Sequence, residues 1–133
     1  MARQIYVNLA VRDLQRSIAF FKSLGFRFNA QFTTDEAACM VVDEDIYVML
    51  LTESSFRRFT AKEICDATKA TEVLVCLSCE SRAEIDNLVA LALRAGGSAP
   101  RPPQDYGFMY GHGFDDPDGH VWELIYMAPS APA

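Results

Sequence analysis

The strongest constraint on this chain is an order of elements that occurs twice. The two helix caps, Asp13 and Ser81, stand 81 − 13 = 68 positions apart, and an apolar run precedes each: QIYVNLAV before the first, EVLVCLSC before the second. In RDLQRSIAFFKSLGF, Asp13 is the N-cap and Leu14, Ile18 and Phe21 recur at helical spacing. Gly25 supplies a left-handed exit, with Phe26 as its apolar partner. In ESRAEIDNLVALALRAGG, Ser81 and Glu84 form a capping box. Ile85, Leu88, Val89 and Ala92 make the buried stripe, and Gly96-Gly97 stop the helix.

Strands follow each helix. FRFNAQF alternates Phe26, Phe28 and Phe32 with polar residues, and AACMVV and IYVMLL flank the turn DED as a hairpin. After the second helix, the prolines of GSAPRPPQDY confine it to an edge or an irregular path. GFMYGHGF and HVWELIYM then form a hairpin about DDPDG. The spacing predicts β-α-β-β-β twice, an α+β fold of two modules over approximately 1–53 and 72–133, with a connector over 54–71. A half of about 65 residues is a marginal core alone, so the modules are expected to pair within one domain spanning 1–133.

Composition narrows the partners. A net charge of −6 and a pI of about 4.8 argue against a nucleic-acid or anionic-membrane partner. No apolar run approaches the roughly 20 residues that span a bilayer, and MARQIYVNLAV lacks the apolar core of a signal peptide. A soluble, cytoplasmic protein is expected. Cys76 and Cys79 lie three apart in a strand-like run and face opposite ways, which suits neither a local disulfide nor chelation. Buried reduced thiols are expected.

One carboxylate stands out. In FDDPDGHVWELIY, Glu123 sits among Val121, Trp122, Leu124 and Ile125. A lone carboxylate is costly to bury, so it points either at water or into a site. RPPQDYGFMYGHGF supplies candidate pocket residues: Tyr106 and Tyr110 have apolar faces and polar tips. His112 is expected to face the same way as Phe108, Tyr110 and Phe114. Cys76, on the strand ahead of the second helix, is a further candidate binding residue. His120 is expected at the rim, while Asp115, Asp116 and Asp118 are expected to shape and solvate the turn.

The motifs VNLAVRDLQRSIAFFKSLGF and FDDPDGHVWELIYM make the chain resemble the vicinal oxygen chelate superfamily of glyoxalase I, fosfomycin and bleomycin resistance proteins and extradiol dioxygenases. It looks most like small bacterial proteins described as predicted lactoylglutathione lyases. The resemblance implies curved mixed sheets with a helix on each convex side, enclosing a ligand cavity within one chain or across a homodimer. It also implies a divalent metal with four ligands, the last at Glu123. The other three positions fall on Tyr6 with Asn8 as its inward neighbour, on Leu50 (or Met49 if the register slips by one), and on Leu74. Leu and Met do not ligate a hard ion, and a neutral Tyr does so poorly.

Two functions follow from the resemblance. One is a glyoxalase-like lyase or isomerase acting on a small carbonyl compound or thiol conjugate, with Glu123 as metal ligand or general base and His112 and Tyr6 assisting. The other is a metal-independent protein of the bleomycin-resistance kind that binds an aromatic or apolar small molecule. In either, Glu123 is expected to face the cavity near Asn8 or Tyr6. Desolvation is expected to raise its pKa, because few cations stand near it in the sequence.

Overall fold

The structure, a computed structural model, describes residues 2–129. The chain divides between Cys65 and Asp66 into two compact units, each built on one four-stranded mixed sheet that does not close on itself. Module one runs β1 (Ile5–Val11), α1 (Leu14–Ser23), β2 (Arg27–Phe28), a 3-10 turn (Ala30–Phe32), β3 (Ala37–Asp43), β4 (Ile46–Thr52) and α2 (Glu53–Phe56). Its strand order is β1-β4-β3-β2, with β1 parallel to β4 and the other pairs antiparallel. Module two runs β5 (Leu74–Ser78), α3 (Arg82–Arg94), β6 (Gln104–Asp105), β7 (Met109–Asp115) and β8 (Val121–Met127). Its order is β5-β8-β7-β6, and β5 lies parallel to β8. The α+β fold of two repeated modules read from the sequence is the fold observed. The connector is shared out, with α2 in module one and Asp66 onward in module two.

The helix ends follow from their residues. The Asp13 side chain accepts from the Arg16 amide at 3.1 Å. At the other end, Gly25 has φ of 98° and the Phe26 amide bonds back to the Phe21 carbonyl, a left-handed exit that a Cβ would strain. Ser81 accepts from the Glu84 amide, and the Glu84 carboxylate reaches back to the Glu80 amide. The buried stripe of α1 is Leu14, Ser17, Phe20 and Phe21. Ile18 is only half-buried, and so is Leu88 on α3, where Ile85, Val89 and Ala92 are buried. The expected burial of Ile18 and of Leu88 is thus corrected, while Leu14, Phe21, Ile85, Val89 and Ala92 are buried as expected. FRFNAQF is a strand for two residues only, because Asn29 accepts from the Gln31 amide and starts the 3-10 turn.

Each sheet has a closed face under its helix and an open face. In module one Leu9, Val11, Ala38, Met40, Val48 and Leu50 fill the closed face. In module two Phe114, Trp122 and Leu124 do, and the paired Phe114 and Trp122 rings stack with centroids 6.2 Å apart. The DDPDG turn is tied down rather than solvated. Asp116 and Asp118 are buried, and Asp116 accepts from the Asp118 and His120 amides and from the Trp122 indole. Burial raises the Asp116 pKa, with His120 and the Trp122 bond opposing that rise. The Asp118-Gly119 corner packs so closely on Ala67 that a Cβ at Gly119 would lie 2.6 Å from the Ala67 carbonyl oxygen. Among the described residues no helix is long and apolar enough to cross a membrane.

Candidate functional site

The strand register sorts the candidate residues by face. In module one Tyr6 pairs with Tyr47, Asn8 with Met49, and Cys39 with Met49, all on the open face. Leu50 pairs with Leu9 on the closed face and is fully buried there, so the ligand-like position on β4 is Met49, not Leu50. Period-2 alternation makes the two alternatives exclusive.

Tyr6, Asn8, Cys39, Tyr47 and Met49, with Gln4, Asn29 and Phe32, line a cavity of about 570 Å³ on this face. Its walls are aromatic. The Tyr6 and Tyr47 rings stack with centroids 4.8 Å apart and planes 12° from parallel, and Phe32 is exposed. Its polar groups are held from behind: the Tyr6 hydroxyl donates to Gln4 Oε1 at 2.9 Å, the Tyr47 hydroxyl to the Glu44 carbonyl at 2.8 Å, and Asn8 Nδ2 to the Tyr6 carbonyl at 3.2 Å. Loss of water contact, with the Tyr6 phenol and acidic neighbours adding to it, raises the Tyr47 pKa, so this phenol stays neutral. Burial likewise raises the Cys39 thiol on the floor. Among the described residues no charged side chain lines the cavity. A smaller one of about 270 Å³ shares Asn8 with it and is walled by Leu51, Phe56 and Phe59.

Module two presents charge instead. Glu123 faces away from the buried Trp122 and Leu124, onto the open face with Cys76 and Leu74. Opposite it on β7 is Gly113, where a Cβ would come within 3.0 Å of Glu123 Oε2 and strike the Trp122 carbonyl oxygen. The missing side chain is the room the carboxylate occupies. Arg101 reaches the same face, with Nε 3.3 Å from Glu123 Oε1 and Nη1 3.0 Å from Asp115 Oδ1. A cation therefore stands beside Glu123, where the sequence suggested that few would be near it. Partial burial, then the Glu123 carboxylate, raises the Cys76 thiol above its ordinary value, which makes it a poor nucleophile. Of the four free cysteines only Cys39 is buried, and Cys76 is exposed.

Tyr110 and His112 do not join Glu123. They pair with Tyr126 and Leu124 and so lie on the closed side of the sheet. The Tyr110 hydroxyl donates to Asp86 on α3 at 2.5 Å, and the Arg82 guanidinium lies over its ring at 5.1 Å. His112 Nε2 bonds the Arg101 carbonyl at 2.9 Å; a carbonyl only accepts, so this nitrogen carries the proton. Tyr106 is exposed, with its hydroxyl on Gln104. His120 is half-buried and immediately precedes β8 rather than opening it.

The four-ligand divalent site implied by the resemblance does not fit these residues. The matching positions carry Tyr6, Met49, Leu74 and Glu123, and Glu123 already faces a guanidinium. Among the described residues no three His, Cys, Asp or Glu side chains are grouped to hold a metal. One carboxylate with a phenol, a thioether and an alkyl group is not a donor set for a hard or borderline ion.

Repeated βαβββ modules with open sheet faces define a glyoxalase-like protein, and sequence comparison agrees. Residues 3–124 match the Glyoxalase/Bleomycin resistance protein/Dioxygenase superfamily, and the chain belongs to that family. A hypothetical protein from S. aureus is 28% identical, with a TM-score of 0.80 over 95% of this chain and 94% of that one. A glyoxalase-related enzyme from Fulvimarina pelagi (17% identity, TM-score 0.78, 95% and 88% covered) shares the fold. So does the fosfomycin resistance protein FosX from Mesorhizobium loti (16% identity, TM-score 0.69, 98% and 96% covered). No match was found among curated proteins.

Proposed function

We propose that this chain is a metal-independent small-molecule-binding member of its superfamily, taking an uncharged, flat ligand on the open face of module one. The observation that supports this is the cavity of about 570 Å³ with a stacked tyrosine pair, amide groups at its edge and, among the described residues, no charged lining. Its size suits a small organic ligand, and ring stacking favours a planar one over a puckered one of equal area. The lyase reading requires a metal to polarise a carbonyl, and this chain's donors do not supply its site. Cytoplasmic binding of such a compound by a homodimer completes the reading. Leu74 and Met127 are exposed on module two, and β5 is an edge strand that a second copy would cover. Light scattering that shows a monomer at micromolar concentration removes the dimer.

Calorimetry with three matched probes tests the binding: naphthol, its carboxylate analogue naphthoate, and the saturated alcohol decalol. Naphthol is expected to bind, and the other two to bind about tenfold more weakly, through lost neutrality and lost stacking respectively. Tyr6→Leu should weaken naphthol while Glu123→Gln leaves it unchanged. Binding of none of the three, or equal loss in both variants, refutes the reading.

A further inference from the structure

The superfamily resemblance gives Arg101 no task, yet three partners fix its placement. Ser98 bridges Asp115 and Gln104 pairs with Gly111, so 104 − 98 = 6 positions on one side run against 115 − 111 = 4 on the other. The segment must bulge by two residues. Pro100, Pro102 and Pro103, which lack the amide a ladder needs, stand in the bulge. His112 clamps the Arg101 carbonyl, while the side chain turns to Asp115 and Glu123.

The guanidinium is held there by charge more than by aligned hydrogen bonds. Both ion-pair distances are met, yet Nε, Nη2 and Asp115 Oδ1 are buried atoms without a well-directed hydrogen-bond partner. The distances carry the electrostatics and the angles do not carry a bidentate fork. One positive charge faces two carboxylates, for a local sum of −1. Without Arg101 the same face would show two unpaired carboxylates, the hard oxygen donors that divalent ions select.

We propose that Arg101 is a resident cation on the open face of module two: it occupies Glu123 and keeps divalent ions out. The guanidinium and a divalent ion are thus alternatives on one sheet face. This inference concerns module two and does not depend on the ligand of module one.

Manganese(II) is the probe, because its free ion gives a sharp paramagnetic resonance spectrum that binding broadens. Arg101→Met keeps much of the apolar stem and removes the charge. It is expected to bind manganese at least about tenfold more tightly than the parent, the scale on which groups around a site tune metal affinity. The parent and Arg101→Lys should leave the ion free, and Arg101→Met with Glu123→Gln should lose the gain. If Arg101→Met is unfolded by circular dichroism, manganese should restore its fold, since the two carboxylates then lack only a cation. A parent that binds one equivalent overturns the proposal. So does a folded Arg101→Met that binds no better than the parent, or an unfolded one that no divalent ion rescues.

Discussion

Met49 and Glu123 occupy the same place in the two modules, and almost nothing about their surroundings is the same. Each lies mid-way along the last strand of its sheet, on the open face. A residue of the first strand stands on one side (Asn8 or Cys76) and a residue of the hairpin partner on the other (Cys39 or Gly113). In module one the hairpin partner has a side chain and the centre is a thioether among aromatic rings. In module two the partner is glycine, the centre is a carboxylate, and Arg101 has been brought round to meet it. A shared backbone fixes where side chains point. What the face does is set by the residue opposite and by what the neighbouring loop delivers.

The closed faces, by contrast, should behave alike, and this gives the largest effect. Leu50 and Leu124 pair with Leu9 and Leu77 at corresponding positions and are buried. Leu50→Ala and Leu124→Ala are each expected to cost about 2–5 kcal/mol by urea denaturation. A cost near zero for Leu50→Ala alone would put Leu50 on the open face and break the comparison at its root.

Thiol chemistry separates the modules more finely. Burial alone raises Cys39, whereas in module two carboxylates add to burial: Glu123 at Cys76, and Glu84 at Cys79, which is pushed up to about 11. A rise from 9.0 to about 11 lowers the thiolate fraction near neutral pH about a hundredfold. Iodoacetamide labelling of Cys79, followed by peptide mass, should be slower than that of a free thiol by about that factor. The sign for stability follows. The folded pKa is raised, so this contribution is intact below pH 9 and fades as pH rises through about 11. Labelling of Cys79 at the rate of a free thiol would mean that neither burial nor Glu84 acts on it.

Gly113→Ala tests why module two can carry a carboxylate at all. The new methyl would meet the Trp122 carbonyl oxygen and crowd Glu123 Oε2, so the strand pair must shift at a cost of about 1–3 kcal/mol. At the matching position module one already holds Cys39, so Cys39→Ala, which removes only a sulfur, should cost less. Equal costs would remove glycine as the reason for the difference.

The repeat, the helix caps and the hairpins were legible in the sequence because each is a local pattern: Asp13 and Ser81 act on their own first turns, and Gly25 on its own last one. The outward turn of Glu123 was legible for the same reason, since alternation along β8 sets it against Trp122. Tyr110 and His112 were assigned to the wrong side because their parity with Phe114 was read correctly, but Phe114 was expected to face the site and instead stacks on Trp122. The tyrosine pair depends on the β1–β4 register, and Arg101 on a bulge closed by partners 11 and 14 or more residues away. No local pattern announces either. A half-buried carboxylate did imply a missing cation, and Arg101 was the signal to look for.

Glu123→Gln should have the smallest effect on stability, and its size decides what kind of pair Glu123 and Arg101 make. Glu123 is 32% exposed and Arg101 38%, so water screens their attraction, and such pairs contribute about 1 kcal/mol or less. Gln keeps the shape, fits beside Gly113 and leaves Asp115 to hold Arg101. The denaturation midpoint should move only slightly, and the parent's naphthol binding should persist. A loss of about 3–5 kcal/mol would be that of a buried pair with an abandoned charge. The open face of module two would then be sealed in the native assembly, and Arg101 would be part of its core.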